Sequence, residues 1–355
     1  MPATGRPAGH WPAGGLAASG GPFNATAVMS PLLWPILAAV RFVLALIVAG
    51  SHLRWFFPDN HLAITLERLS SIVAVIGFLI ISGFSIAASY ARQPTGFYGR
   101  RALRIIPLYL LAIVAGTFCT TIFGGRVAVA DGSAFGPPSI GLVLQNVFFL
   151  QGFTTSSMLT NGVIWSLSIE VLFYLLTPLL ARLSQTSLLL LAGSSLALFV
   201  AASWFALPKY PGMQGGLAFV LLGWCWLAGF IAYRHAKWLE ASAGVLVCSL
   251  LALTAYALSL EIYWPVTLVI VTVAIGVGDR LRGPRRLGAV LNLLGDASYP
   301  LYLFHLPFFF ILTGLKLHLS GFAYLGAAVV LSVVLDRCYD QPLKHLARRL
   351  WPSLK

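Results

Sequence analysis

LLWPILAAVRFVLALIVAGSH, residues 32–52, carries a single charge, Arg41, in twenty-one positions. A helix of about 20 mostly apolar residues crosses the ~30 Å hydrocarbon core of a bilayer, and this run has that length. Nine more stretches meet the same test, at roughly 70–90, 104–124, 163–182, 187–206, 215–234, 240–259, 262–279, 293–315 and 321–339. The whole chain agrees: of 355 residues, 59% are hydrophobic and 9% charged, against about 25% charged in an ordinary soluble domain. The expected fold class is all-α, a polytopic integral membrane helix bundle of about ten transmembrane helices.

The net charge of +13 raises the question of nucleic acid. The basic residues argue against it, because they sit in short clusters between apolar runs, as charges that set membrane topology do. With both termini inside, 17 Lys and Arg fall on the cytoplasmic side and 5 on the outer side, with Arg41 left inside the first span. The topology expected is N-in/C-in, and the macromolecular surroundings are a lipid bilayer, that of the bacterial inner membrane, with no nucleic acid. No inverted repeat of the kind many transporters carry is evident.

Three segments are expected. Residues 1–30, rich in Gly, Ala and Pro, read as a disordered tail without the pattern of a cleaved signal peptide. Residues 31–345 form the membrane domain, and 346–355 a basic cytoplasmic tail. The longest connection, about 125–162, holds an apolar stretch at 141–150 that suits a re-entrant or interfacial segment. The four cysteines, Cys119, Cys225, Cys248 and Cys338, have neither metal-ligand nor disulfide spacing. They read as packing residues, and no metal site is expected.

Polar groups inside a bilayer are expensive and usually face an interior cavity. Arg41 and His52, eleven residues apart, return to nearly one helix face about 16 Å apart along the axis; His52 at the outer end is either a base near neutral pH or an interfacial side chain. In FYGRRALRIIPLY, Arg100, Arg101 and Arg104 suit phosphate recognition and equally serve as positive-inside anchors. Trp165-Ser166-Leu167-Ser168-Ile169-Glu170 opens the fourth span, and Ser166, Glu170 and Tyr174 draw one polar line down it. Glu170 is the clearest intramembrane carboxylate; it can orient an imidazole or join two helices by hydrogen bonding. Ser298, Tyr302 and His305, in LGDASYPLYLFHLPF, share one face of the ninth span, where packing alone is the competing explanation.

Taken in order, these pieces resemble the acyltransferase-3 family of membrane O-acyltransferases over roughly residues 35–345. The matching pieces are Arg41 to His52, FLIISGFSI at 78–86, RRALRIIPLY at 100–109, WSLSIEVLFYLLTP at 165–178 and LGDASYPLYLFHLP at 294–307. Two departures stand out. Asp340 occupies the place where many relatives have Glu two residues before Pro342. The chain also ends without the extracytoplasmic esterase-like domain some members carry, so any second catalytic step is expected from another protein.

The resemblance implies transfer of an acyl group, acetyl being the expected one, from acyl-CoA to a hydroxyl of a carbohydrate or glycosylated small molecule. Acyl-CoA is a co-substrate here; no permanently bound cofactor is expected. The implied catalytic set is His52, as base or acyl carrier, with Glu170 orienting its imidazole or balancing its charge and Arg41 shaping the buried polar channel. Arg101 and Arg104, with Arg100, would hold the phosphates of acyl-CoA. Ser166, Trp165, Ser298, Tyr302 and His305 would line the channel or acceptor site. Envelope-glycan biosynthesis proteins are the expected partners. The rival functions are a transporter or flippase of envelope glycans and a non-catalytic scaffold.

Overall fold

The structure is a computed structural model that describes residues 32–204, 213–234, 284–317 and 319–351. Expectations for the 1–30 tail and for the spans at 240–259 and 262–279 lie outside the described residues. Among the described residues, eight helices are long and apolar enough to cross a membrane. They are α1 (Leu33–His52), α3 (Ser71–Arg92), α4 (Phe97–Phe118), α6 (Trp165–Arg182), α7 (Gln185–Trp204), α8 (Leu217–Arg234), α9 (Arg285–Gly314) and α10 (Gly321–Leu335), which reaches spanning length only with the helical turns that continue it to Leu350. A π-turn, Asp336–Asp340, carries α10 into α11 (Gln341–Leu350). The chain is thus a polytopic helical bundle, as its composition requires.

Two spans begin earlier than their apolar runs. α4 starts at Phe97 rather than 104, after Gly96 turns the chain with φ of 69°, a left-handed conformation that costs glycine little. Its arginines therefore ride on rigid helix instead of a loop. α9 starts at Arg285 rather than 293, directly after Pro284, whose fixed φ of −64° suits a helix entrance. At the other end of the chain, helix runs through the boundary expected at 345/346. Lys344 pairs with Asp340, and Arg348 and Arg349 lie in the last turn, where positive charge opposes the helix dipole.

Packing inside a bilayer rewards close backbone approach at small residues. α3 meets α8 in this way: a Cβ on Gly83 would stand 1.9 Å from the Trp226 carbonyl oxygen, and one on Gly229 1.9 Å from that of Ile80. Beside this seam, Trp226 stacks on Phe173 of α6 at 4.6 Å between ring centroids. α1 lies against α9 on the other flank, where Gly295 leaves room for Ala38. Outward faces remain apolar, with Val114, Leu175, Leu190 and Val330 exposed, as a lipid-contacting surface must be.

The long connection is folded. It contains a two-stranded antiparallel hairpin pairing Val127 with Phe135, the short helix α5 (Ile140–Val147), and a 3-10 segment over Leu159–Ile164. Buried amides tie it down. Gln151 Nε2 donates to the Tyr109 hydroxyl at 2.9 Å and to the Ile164 carbonyl at 3.0 Å, and Asn161 Nδ2 donates to the Leu303 carbonyl at 3.1 Å. α2 (His61–Arg68), capped by the Asn60 side chain, completes this end of the molecule beside α1.

Candidate active site

Apart from His52 and His305, the polar side chains picked out by their depth converge on one cavity of about 600 Å³ between α1, α3, α4, α6 and α9. Arg92, Arg100, Arg101 and Arg104 border one end of it; Ser82, Ser166, Glu170 and Tyr302 border it further in. Along α3 alone the lining runs from Arg92 to Val75, about 26 Å at the helical rise.

The arginines do not play equal parts. Arg101 is held in place by Ser89, to whose Oγ its Nη2 donates at 2.7 Å, and its guanidinium lies 5.8 Å from the Phe97 ring centre. Arg104 lies on the same helix face three residues on and is exposed. Arg100 instead donates to the carbonyls of Thr95, at 2.6 Å, and Gln93. Its guanidinium closes the turn that leads into α4, and that occupies part of its donor capacity. Arg41, deeper in the cavity wall, donates to Ser85 Oγ at 2.6 Å and more weakly to the Ile81 carbonyl at 3.4 Å.

Glu170 is fixed from two directions. Ser82 Oγ donates to its Oε1 at 2.8 Å, and the Tyr174 hydroxyl donates to the same oxygen. The polar line expected along α6 is therefore real between Glu170 and Tyr174. Ser166 turns to α9: the Tyr302 hydroxyl donates to the Val163 carbonyl at 2.8 Å, which leaves its oxygen to accept from Ser166 Oγ at 2.8 Å. Ser298 borders the cavity while donating to its own helix at Gly295, 2.6 Å away.

His52 has a partner that spacing along the chain did not reveal. His305 Nε2 lies 3.1 Å from His52 Nδ1, with the rings 5.2 Å apart at 30°. Trp55 presents to the His52 ring at a near-perpendicular 84° and 5.3 Å, and Phe135 of the hairpin stacks on Trp55 at 5.6 Å. His305 is 1% exposed and His52 half-buried. Neither ring borders the cavity, whose wall reaches Tyr302, one turn before His305 on α9.

A family model described as an acyltransferase domain matches residues 34–337. The chain belongs to the acyltransferase-3 family. It is 34% identical over 164 residues to the acyltransferase MdmB of Streptomyces mycarofaciens, a match covering 42% of this chain and 39% of that protein. Over 259 residues it is 26% identical to an O-acetyl transferase of Shigella phage Sf6, covering 66% of this chain and 72% of the phage protein. The exopolysaccharide production protein ExoZ of Rhizobium meliloti (strain 1021) is 30% identical over 251 residues, 64% of this chain and 73% of ExoZ. No solved structure matches.

Within this acyltransferase-3 domain three expected assignments change, the first being that His305 lies off the cavity, paired with His52 instead of lining the channel. Glu170 does not orient His52: its bonds go to Ser82 and Tyr174, while His52 bonds to Val48 and His305. The carboxylate sits in the cavity wall, whereas the imidazole pair lies where α1 and α9 meet. Trp165 does not line the cavity either. It is buried toward a small crevice with Gly152, Phe153 and Met213, because adjacent positions on a helix diverge by about 100° and Ser166 takes the cavity face. The residues that sequence reasoning passed over are Ser82, Ser85, Ser89 and Arg92. Their spacing of three, four and three residues is a polar stripe on one face of α3, legible in principle but inconspicuous in so apolar a run.

Proposed function

We propose that this acyltransferase moves an acyl group, acetyl in the expected case, from acyl-CoA to a hydroxyl of a carbohydrate or glycosylated acceptor at a bacterial inner membrane. The observation that carries this reading is the single cavity with arginines at one end and the buried polar cluster at the other, stopping one helical turn short of a histidine pair.

Acyl-CoA enters by the arginine end, the cytoplasmic one on the charge distribution. Arg101 and Arg104 take its phosphates; the planar fork of each guanidinium matches phosphate oxygens. The pantetheine arm then lies along the α3 serine stripe, with the thioester toward Ser166 and Tyr302. His52 removes the proton from the acceptor hydroxyl as its oxygen attacks the thioester carbonyl. The tetrahedral intermediate collapses, the carbon–sulfur bond breaks, and the leaving thiolate takes the proton back from His52. The products are the O-acyl acceptor and free CoA thiol. Arg41 stabilises negative charge in the channel, and Glu170 offsets the positive charge of a wall otherwise furnished with arginines. The carbohydrate class of acceptor draws support from the relatives named as an O-acetyl transferase and an exopolysaccharide production protein.

The test is release of CoA thiol from acetyl-CoA by purified protein, paired with mass spectrometry of glycans from cells that carry or lack the gene. Loss of thiol release in His52→Ala, with loss of glycan acetylation in the deleted strain, is expected. Full thiol release in a folded His52→Ala variant would remove His52 from the chemistry.

A further inference from the structure

Each ring of the histidine pair sits with Nδ1 against the carbonyl one turn back in its own helix. His52 Nδ1 is 2.8 Å from the Val48 oxygen, and His305 Nδ1 is 3.0 Å from that of Leu301. A carbonyl oxygen has only lone pairs to offer, so a bare nitrogen at that distance would face it lone pair to lone pair. Both Nδ1 atoms therefore carry hydrogen. A neutral imidazole holds one such hydrogen, which leaves both Nε2 atoms as acceptors.

The contact between the rings then has only one sense. His305 Nε2, bare, receives the N–H of His52 Nδ1 across 3.1 Å, so that this one hydrogen is shared between two acceptors, the Val48 carbonyl and His305. Rotating the His52 ring by half a turn would set a C–H against both. Val48 belongs to His52's own helix and its carbonyl also serves the α1 backbone; His305 comes from α9, 253 positions away, and acts from outside that helix.

We propose that His305 is a positioning residue that locks His52 in the Nδ1–H tautomer and ring orientation, so that Nε2 is the lone pair offered to the acceptor hydroxyl. This inference rests on His52 being the base of the reading above and names what makes it one. His305 touches no reacting atom. It also replaces, with a neutral ring, the carboxylate that often orients a catalytic imidazole, a role which Glu170, bonded elsewhere, does not fill. In an apolar setting this spares the bundle a second buried charge. When Nε2 takes the hydroxyl proton, the imidazolium's Nδ1–H keeps both acceptors, and the same proton leaves later with the CoA thiolate.

The experiment compares His305→Gln with His305→Phe in the full chain, in lipid nanodiscs, using 15N-histidine NMR for the ring state and acetyl-CoA thiol release for rate; the His52→Ala spectrum assigns the signal. Wild type should show His52 protonated at Nδ1. His305→Gln, whose amide oxygen can accept the same N–H, should keep that signature and a kcat within about 10-fold of wild type, whereas His305→Phe should lose the fixed tautomer and about 100-fold in kcat. KM for acetyl-CoA should be unchanged in both, since His305 lies off the cavity. A thermal melt separates misfolding of His305→Phe from loss of positioning, and the Gln rescue does so independently. An Nε2–H signature in wild type, an unaltered His52 signal in folded His305→Phe, or equal kcat in the two variants would each overturn the proposal. Full thiol release in His52→Ala would instead sink the underlying reading while leaving the NMR result standing.

Discussion

The two ends of the polar interior are built on opposite terms. At the arginine end, Arg100, Arg101 and Arg104 come from one turn-and-a-half of a single helix; Arg104 is exposed, while Arg101 and Arg100 are held by bonds to Ser89 and to the carbonyls of the preceding turn. At the histidine end, two rings from helices 253 positions apart meet in an apolar enclosure of Trp55, Phe135 and Phe309. Long, permanently charged side chains suit capture of a flexible phosphate ligand, whose arrival they need not constrain closely. A proton transfer needs atoms fixed within fractions of an ångström, which short side chains between packed helices supply.

The comparison is open to tests of graded size. Removing the imidazole should be most damaging: His52→Ala should lower kcat for thiol release by about 1,000-fold with KM for acetyl-CoA unchanged. The arginine end should show the reverse pattern. Arg101→Ala with Arg104→Ala should raise KM for acetyl-CoA by about 30-fold through loss of charge-assisted bonds, with kcat largely kept. Ionic strength separates the ends again. Raising salt from 0.05 to 0.5 M should weaken acetyl-CoA affinity several-fold by screening, and should leave the rate at saturation nearly constant.

Smaller effects follow from the groups between. Tyr302→Phe breaks its bonds to Val163 and Ser166, each worth about 1 kcal/mol net, and should lower thermal stability measurably while reducing kcat by a few-fold. Arg100→Ala should change KM for acetyl-CoA least of the three arginines, about 2-fold, because its guanidinium already serves the turn over Gln93–Thr95. If Arg100→Ala matched Arg101→Ala in KM, the three would be one undifferentiated patch and the division of labour argued from their bonds would fall.

Legibility followed the range of the interaction. The membrane bundle was plain from runs such as 32–52, since a hydrophobic stretch declares itself locally. Arg101 and Arg104 were legible for the same reason, being neighbours on one helix face. The start of α4 was not, because the apolar window stops at the arginines while the backbone helix, needing only hydrogen bonds along itself, continues back to Phe97. Glu170 could be recognised as a buried carboxylate, but its partner could not: Ser82 lies 88 positions away, and a lone serine in an apolar run carries little signal.

By itself, the sequence determined that this chain must live in a bilayer and which few polar residues lie deep in it, because the cost of transferring each side chain depends on its own chemistry. Only the tertiary structure decided which of them meet. His52 and Glu170 looked like a pair, being two misplaced polar groups at similar depth. Packing gave His52 to His305 and Glu170 to Ser82 and Tyr174, since a hydrogen bond is settled by which helix faces come within 3 Å, and the close approach of α1 to α9 and the alignment of α3 beside α6 are properties of the assembled bundle.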